Sequence, residues 1–525
     1  MKKVTKSIAL LLVCLMLFTA VACGGGGNSG GGSSGGEAVS TKRDTLNIAV
    51  TSDTGTLNRE AATGGLVPAM YCFMEPLFDK TADGEIIYIL AESVEVLTPT
   101  HWRIHLRKDV TFSNGNPFTA SDVLFTFKLY RASVLNNAMA QEMDLENSKV
   151  IDDYTYDMVW ENYHNNQWGI VSDGLMYDEE SFDAELISQN PIGTGPYKVN
   201  EYIINSHLFL ERRDDYYGEP PPMKYLNFRV LAEPSQIVNA LETGVVDMAD
   251  VAADDVEYVR DLGNITIVDR YNSNWSQVRF NPTIGTTFHN IEARYAVCHA
   301  IDREAILNNV YNGRGVVMNS PINSYCLDYE DRFEFLHEIY TVGYDLDLAR
   351  QYAESSGLAG QTIRLTTNGL REFVTIAEII QNQLSEIGVE VIIQNYDAAG
   401  YSAVTREPDA WEMTVSRGVN PGLLVAGPLI NGIRFSPVYS APGSWEALGM
   451  DVESYMEMSL GGFYEPDDQK RSDINYEIFK ISAAAAISYP ICDILYASAF
   501  ADDIDLDTVV WRAHGSIRYR AVDAK

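Results

Sequence analysis

Two strand–helix–strand patterns stand out along the chain. In the first, Tyr225 to Leu231 reads as a strand, Pro234 opens a helix through Ile237, Val238 and Leu241, Gly244 stops it, and Val245 to Met248 begins another strand. In the second, Ile363 to Thr367 is a strand and a helix runs from about Glu372 to Ile387. Ile376, Ile379, Ile380, Leu384 and Ile387 fall on one face of that helix, and Gly388 suits the left-handed residue beyond its last turn. Val389, Val391 and Ile393 then alternate with polar residues, as in a half-buried strand. Such units need a right-handed crossover and a mainly parallel sheet. They lie about 130 residues apart, which predicts two separate α/β lobes.

Between residues 101 and 130 the period changes. Trp102, Ile104 and Leu106 alternate with Arg103, His105 and Arg107, a strand with one polar face. Asn114-Gly115 is a turn signal. Thr119-x-x-Asp122 reads as a capping box before Val123, Leu124, Phe127 and Tyr130. A helix pair is predicted at 291–311, with Asp302 as N-cap of the second member. Leu46 to Val50 reads as a strand near the start of the folded body. The apolar stretch 481–500 contains Pro490 and Asp493, so it reads as a buried helix followed by a core strand rather than a membrane span.

The chain has 525 residues, enough for about three domains. Its formal net charge is −35. That excludes a nucleic-acid binder, which needs clustered Lys and Arg on the phosphates. It also opposes a body lying flat on an anionic membrane.

The N-terminus changes the picture again. Residues 1–7 carry Lys2, Lys3 and Lys6, and residues 8–22 are apolar or small. This is the layout of an export signal, and its apolar run is too short to span a bilayer. It ends Ala20-Val21-Ala22-Cys23-Gly24, which resembles the lipobox of bacterial lipoproteins, in which the Cys carries the lipid. Residues 1–22 are therefore expected to be removed, with Cys23 lipidated. Cleavage there removes three lysines and no acid, taking the formal charge to −38. Residues 24–36 are Gly, Ser and one Asn, so 23–43 reads as a tether with a reach of roughly 20 Å. Lipid burial would anchor such a protein without a transmembrane helix.

Candidate chemistry is sparse. Cys72, Cys298, Cys326 and Cys492 form no CxxC pair, which leaves one or two disulfides or buried free thiols. His101 and His105 share a strand face without a third ligand, and no HExxH occurs. Gly193-Thr194-Gly195-Pro196 lacks the GK[ST] of a phosphate loop and reads as a tight turn. With no visible nucleophile–base pair, no metal site and no cofactor motif, the chain is expected not to be an enzyme. Ligand binding between lobes is the leading reading.

Several segments then resemble one family, the extracellular solute-binding proteins (family 5) of peptide and nickel ABC importers. HWRIHLRKDVTFSNGNPFTASDVLFTFKLY (101–130) resembles its Trp-led strand, Gly turn and "T-A-x-D-V" helix entry. NPIGTGPYKV (190–199) is similar to its "GTGPY" element, NALETGVVD (239–247) to its crossover, and FNPTIGTTFHNIEARYAVCHAID (280–302) to its "AID" helix entry. The resemblance implies an α/β, periplasmic-binding-protein-like fold of two lobes closing on a cleft, with a third packed on the first. Lobe I would comprise 44–85, 190–272 and 492–525, lobe II 86–189, and lobe III 273–491. Trp102, Asn114, Gly115, Asp122 and Gly195 would serve the fold.

The resemblance further implies the substrate-binding lipoprotein of an ABC importer. It would capture a peptide, peptide-like or other small solute and pass it to a permease pair with ATPase subunits. Such a protein is expected to be a monomer on the extracytoplasmic face of the membrane. The alternative is a sensing or adhesion lipoprotein of the same fold. Peptide-binding members carry a Trp and an Asp that holds the peptide ammonium. Here Ser416 stands at the Trp position and Val419 at the Asp position. An apolar side chain cannot hold a buried ammonium. Arg417 and Arg371 fall near ligand-facing positions instead, and guanidinium forks suit oxyanions. The expected ligand-binding set is Asp53, Thr54, Trp275, Arg371, Arg417, Val419 and Asn420, with Asp53 first in line for any displaced amine anchor.

Overall fold

The computed structural model describes residues 43–136, 139–334, 343–419, 445, 450–512 and 515–525. The export signal, Cys23 and the Gly/Ser tether lie outside the described residues, as does Asn420. Among the described residues, no helix is long and apolar enough to cross a membrane.

Both strand–helix–strand units form. In the second, strand Thr362–Thr367 and helix Arg371–Ser385 lead to strand Glu390–Asn395, parallel to the first. The helix buries Phe373, Ile376, Ala377, Ile380 and Leu384, the face its period predicts. Gly388 takes φ +77°, which lets the chain leave the helix without a Cβ clash. In the first unit, strand Tyr225–Val230 precedes helix Pro234–Glu242, but the next strand starts only at Met248. Val245 and Val246 do not begin it. Their amides donate to the Ala240 carbonyl at 2.8 and 3.1 Å, closing the helix end. The capping box is present, with the Thr119 amide donating to Asp122 Oδ2 at 2.7 Å. Asp302 caps helix Arg303–Tyr311 by accepting from the Ala305 amide at 2.9 Å.

The two units are not separate sheets. They are joined into one eleven-stranded mixed sheet by two long antiparallel strands, Ile265–Phe280 and Ser488–Ala501. On one side of this pair, Met413–Val419, Thr362–Thr367 and Glu390–Asn395 follow in order. On the other come Met248–Val251, Thr45–Val50, Tyr225–Val230, His207–Arg212 and Tyr197–Ile203. The mainly parallel expectation holds within each unit, where pairing is parallel, and fails at the two crossing strands and at the edge formed by His207–Arg212 and Tyr197–Ile203, where it is antiparallel. A four-stranded sheet of Ala91–Thr98, His101–Leu106, Thr155–Val159 and Lys149–Asp152 stands apart.

Each long strand enters more than one core. Ile265 packs with Ile237, Leu241 and Val259, whereas Val278 and Phe280 pack with Ile363, Ile376 and Val415. Ala497 and Ala499 belong to the first of these groups, Ile491 and Cys492 to the second, and Phe500 to a third with Leu46, Trp102 and Tyr197. Between the cores the pairing slips. Tyr271 opposes Leu495 and Trp275 opposes Asp493, so three residues face one. A second slip lets Pro490, which has no amide to give, sit at a bulge.

The Gly193–Pro196 segment is a packing element. A Cβ at Gly193 would stand 2.0 Å from the Phe73 carbonyl oxygen, and one at Gly195 2.6 Å from that of Cys72. The buried Arg213 guanidinium donates to the carbonyls of Gly193, Thr194 and Gly195 at 3.2–3.3 Å. Carbonyls gathered on a cation leave no nest for a phosphate.

Candidate functional site

A cleft of about 1500 Å³, counting the part open to solvent, lies against the crossing strands. Its walls include the carboxyl ends of strands Thr45–Val50 and Met248–Val251, the start of helix Pro234–Glu242, and Glu372 on the first turn of helix Arg371–Ser385. Ligands gather at such strand ends in open α/β sheets.

Two guanidiniums enter the cleft. Arg270 comes from the first crossing strand, where it opposes Tyr496 of the second. Its Nε donates to Ser498 Oγ at 3.3 Å and its Nη2 to Asp250 Oδ1 at 3.4 Å, while Ser498 Oγ donates to the same carboxylate at 2.5 Å. The guanidinium lies 4.3 Å from the Trp511 ring centre, and its Nη1 has no partner among the described residues. Arg417 comes from strand Met413–Val419, opposite Ser276. Its Nη2 meets Glu372 Oε1 at 2.5 Å, and its Nε has no partner among the described residues. Burial opposes the Arg417 charge, but the Tyr496 phenol and the Glu372 carboxylate more than offset it, so its pKa is raised. Among the described residues each arginine thus pairs with one acid and leaves one buried nitrogen, Arg270 Nη1 or Arg417 Nε, without a partner.

Of the seven expected ligand-binding positions, Arg417 lines the cleft. Arg371 is exposed, and its neighbour Glu372 takes the wall position instead. Asp53 and Thr54 belong to a loop folded on itself, outside the cleft lining. Asp53 accepts from the Tyr202 hydroxyl at 2.5 Å and from the amides of Asn205 and Gly55 at 2.6 and 2.8 Å. Burial pushes its carboxyl up, yet these donors together hold it below the usual carboxylate range. Thr54 donates its hydroxyl to the Thr56 carbonyl at 2.7 Å. Trp275 is only 2% exposed and packs on Gly418, where a Cβ would stand 2.0 Å from the indole ring. Alternation turns it away from the face that carries Arg417. Val419 ends its strand opposite Asn274, which lines the cleft.

Sequence reasoning missed Arg270, Asp250, Asn274, Tyr496 and Ser498. The signal available was Ile265 and Ile267 alternating into Asp269 and Arg270, which extends the strand toward Trp275. The four cysteines are buried free thiols, and burial pushes those of Cys72, Cys298 and Cys492 up to about 12. His101 and His105 each sit beside a carboxylate of their own, Asp157 and Glu95. The described cleft lining contains no His, Cys or Lys. Among the described residues no cluster of metal-ligating side chains occurs.

Comparison with known proteins accounts for this architecture. Residues 85–421 match the model of the bacterial extracellular solute-binding proteins, family 5 Middle, and the chain belongs to that family. It is 23% identical to the nickel-binding protein NikA of Staphylococcus aureus over 428 residues, 79% of this chain and 82% of that one. It is 24% identical to the oligopeptide-binding protein AppA of Bacillus subtilis over 348 residues, 62% of this chain and 63% of the other. The structure of B. subtilis AppA in complex with a nonapeptide superposes with a TM-score of 0.78 at 16% identity, covering 92% of this chain and 99% of that one. The fold is the multi-lobe α/β fold of periplasmic binding proteins, and the family's members bind solutes rather than transform them.

Proposed function

We propose that this protein is the substrate-binding lipoprotein of an ABC importer. It captures a peptide-like or other small solute bearing a carboxylate or similar oxyanion and delivers it to a permease pair with its ATPase subunits. The observation that carries this reading is the cleft with two guanidiniums, each with one nitrogen that has no partner among the described residues. Guanidinium donors match an oxyanion, and the wall carboxylates Asp250 and Glu372 offer positions for donors on the same solute. The protein works as a monomer held by Cys23 outside the cell membrane, its acidic body standing off the surface on the Gly/Ser tether.

Closure belongs to the same proposal. Residues 44–85, 190–272 and 492–525 form one lobe and 273–491 the lobe that closes on it, with 86–189 beside the first. The register slips between Tyr271 and Trp275 supply the compliant point. The test is thermal unfolding and small-angle scattering of the mature protein with a library of acidic tetrapeptides. A melting temperature that rises with peptide concentration, together with compaction, is the expected result. No shift and no compaction at saturating library would overturn the peptide-like reading. Fractionation of a Cys23→Ser variant tests the anchor, and a variant that stays fully membrane-bound would overturn it.

A further inference from the structure

A second meeting of lobes lies away from the crossing strands and outside the cleft lining. Helix Val452–Tyr464 is fixed in its own lobe by Tyr455, which packs with Trp411, Trp445 and Ile478. Phe463, at the end of that helix, leaves this core and forms a small cluster with Leu460 and Tyr464. Its ring stacks on that of His164, with centres 4.9 Å apart and planes 8° from parallel. The Asn165 amide donates to the Phe463 carbonyl at 3.2 Å, and the Tyr464 hydroxyl donates to Glu142 Oε2 at the same distance. Glu142, His164 and Asn165 fall within 86–189, the stretch that carries the four-stranded sheet.

The receiving side is firmly held. The His164 ring meets Trp160 edge-on at 4.9 Å, and Trp160 meets the core residue Trp102 at 5.6 Å, so a row of rings runs from strand His101–Leu106 out to Phe463. The delivering side is weaker. Gly461 and Gly462 precede Phe463 in the last turn of the helix. Gly462 is required by packing, since a Cβ there would come within 2.7 Å of Asn475 Oδ1, whereas a Cβ at Gly461 would meet nothing. Two glycines in one turn loosen the helix's own hold on its tip, so the contact with His164 fixes where Phe463 sits. That contact also hides apolar surface. Phe463 is 9% exposed and His164 0%. Parting the lobes at this point uncovers both rings, which water opposes.

We propose that Phe463 and Tyr464, docked on His164, Asn165 and Glu142, form a latch that secures the closed lobes and sets the affinity for solute without setting its specificity. The inference rests on the closure reading above and adds what holds the lobes shut. A solute can enter only when the lobes part, and the latch re-forms when they close over it. None of the five residues lines the cleft. Their contribution therefore belongs to the closed state alone and is the same for every solute that closes the protein. The cleft arginines act in the opposite way, by favouring one charge of solute over another.

The test uses the full mature protein, its Phe463→Ala variant and a double variant, His164→Cys with Phe463→Cys. The probes are two libraries of tetrapeptides, one acidic and one neutral. The stacked rings show that the two side chains face each other, which suits a disulfide, and Cys72, Cys298, Cys326 and Cys492 are buried. Oxidising the double variant without peptide is expected to compact it in small-angle scattering, and reduction to reverse this. Phe463→Ala is expected to weaken every peptide that binds by one common factor of about 2- to 12-fold, the range for a single aromatic pair, with the preference between the libraries unchanged. Failure of the disulfide to form, equal scattering of the oxidised and reduced forms, wild-type affinity in Phe463→Ala, or a loss confined to one library overturns the latch while leaving the solute-binding reading standing. Binding of neither library by the wild type overturns the peptide-like reading, and scattering of the double variant, which needs no peptide, then decides the latch. If the double variant does not fold, the common factor in Phe463→Ala decides.

Discussion

The C-terminal segment and the cleft use the same side chains to opposite ends. Arg512, Arg518 and Arg520 dock the last residues of the chain onto Asp79 and Glu75, which are 1% and 0% exposed. Asp79 Oδ2 accepts from Arg512 at 2.8 Å and from Arg518 Nε at 2.7 Å, while its Oδ1 accepts from the Lys80 amide at 2.9 Å. Glu75 accepts from the hydroxyls of Tyr216 and Tyr217 at 2.8 and 2.9 Å besides its contact with Arg520. Those carboxylates are saturated. In the cleft, among the described residues, Arg270 and Arg417 have one carboxylate each, with Arg270 Nη1 and Arg417 Nε left without a partner. A saturated cluster holds a fold together, whereas an unsaturated one at a solvent-filled wall has capacity for a ligand. The difference lies in how many donors each carboxylate gathers and how deeply it is buried, because a partnerless Nε occurs among the described residues on Arg512 as well as on Arg417.

The largest expected effect breaks the saturated side. Glu75→Ala leaves Arg520, 20% exposed, with no acid beside it among the described residues, and the uncompensated charge destabilises toward the low end of about 3–5 kcal/mol. Urea unfolding should show this as a lower midpoint. A loss below about 1 kcal/mol would mean that the C-terminal cluster is no tighter than the cleft pairs and would remove the contrast.

Little of that contrast was legible in the sequence, and the reason is range. The capping box at Thr119 and Asp122, the cap at Asp302 and the left-handed Gly388 involve partners within a few residues, and all three form. Residues 481–500 divide into a helix and a core strand as their composition indicates. Arg270 meets Asp250 and Ser498, 20 and 228 positions away, and only the register of the crossing strands brings them together. Arg417 was found because the resemblance marked its strand. Trp275 was placed in the cleft because the slip after Tyr271, which helps set the face it takes, leaves no trace in the local pattern. The seven-position set therefore gave one cleft arginine and missed its counterpart.

Asp493 sharpens the comparison from a third direction, as an acid with no base paired to it among the described residues. Its usual pKa is 3.8 and burial pushes the folded value to about 8. The folded state then binds the proton more tightly than the unfolded chain. The stability it contributes is fully present below pH 4 and is lost as pH rises through 8. Asp493→Asn removes that dependence. The unliganded variant should gain on the wild type between pH 4 and pH 8, by roughly 3 kcal/mol at about 1.4 per pKa unit after relaxation of the site. Parallel stability curves for the two proteins across that range would show that the carboxyl is ionised and paired.

On the cleft side, Arg417→Ala is expected to weaken an acidic peptide by about 10- to 150-fold, the loss of a charge-assisted bond of roughly 1.5–3 kcal/mol. Val419→Asp should not improve binding of any acidic ligand. Calorimetry giving Arg417→Ala full affinity, with Val419→Asp gaining affinity for ordinary peptides, would shift the oxyanion contact away from Arg417 and leave Arg270 as the cleft's binding arginine.

The smallest expected effect is the stability of the same variant without ligand, and it decides what the Arg417–Glu372 pair is for. Their side chains are 35% and 27% exposed, so water screens the attraction and repays most of the charge when it breaks. Ion pairs of this exposure contribute about 0–1 kcal/mol, and Glu372 freed of its partner turns toward solvent. Unliganded Arg417→Ala should therefore unfold within about 1 kcal/mol of the wild type, several-fold less than Glu75→Ala. A guanidinium that matters greatly to affinity and little to stability is held for a ligand. If urea unfolding instead shows Arg417→Ala losing as much as Glu75→Ala, the pair is a structural clasp like the one at the C-terminus, and Glu372 would not yield Arg417 to an incoming oxyanion.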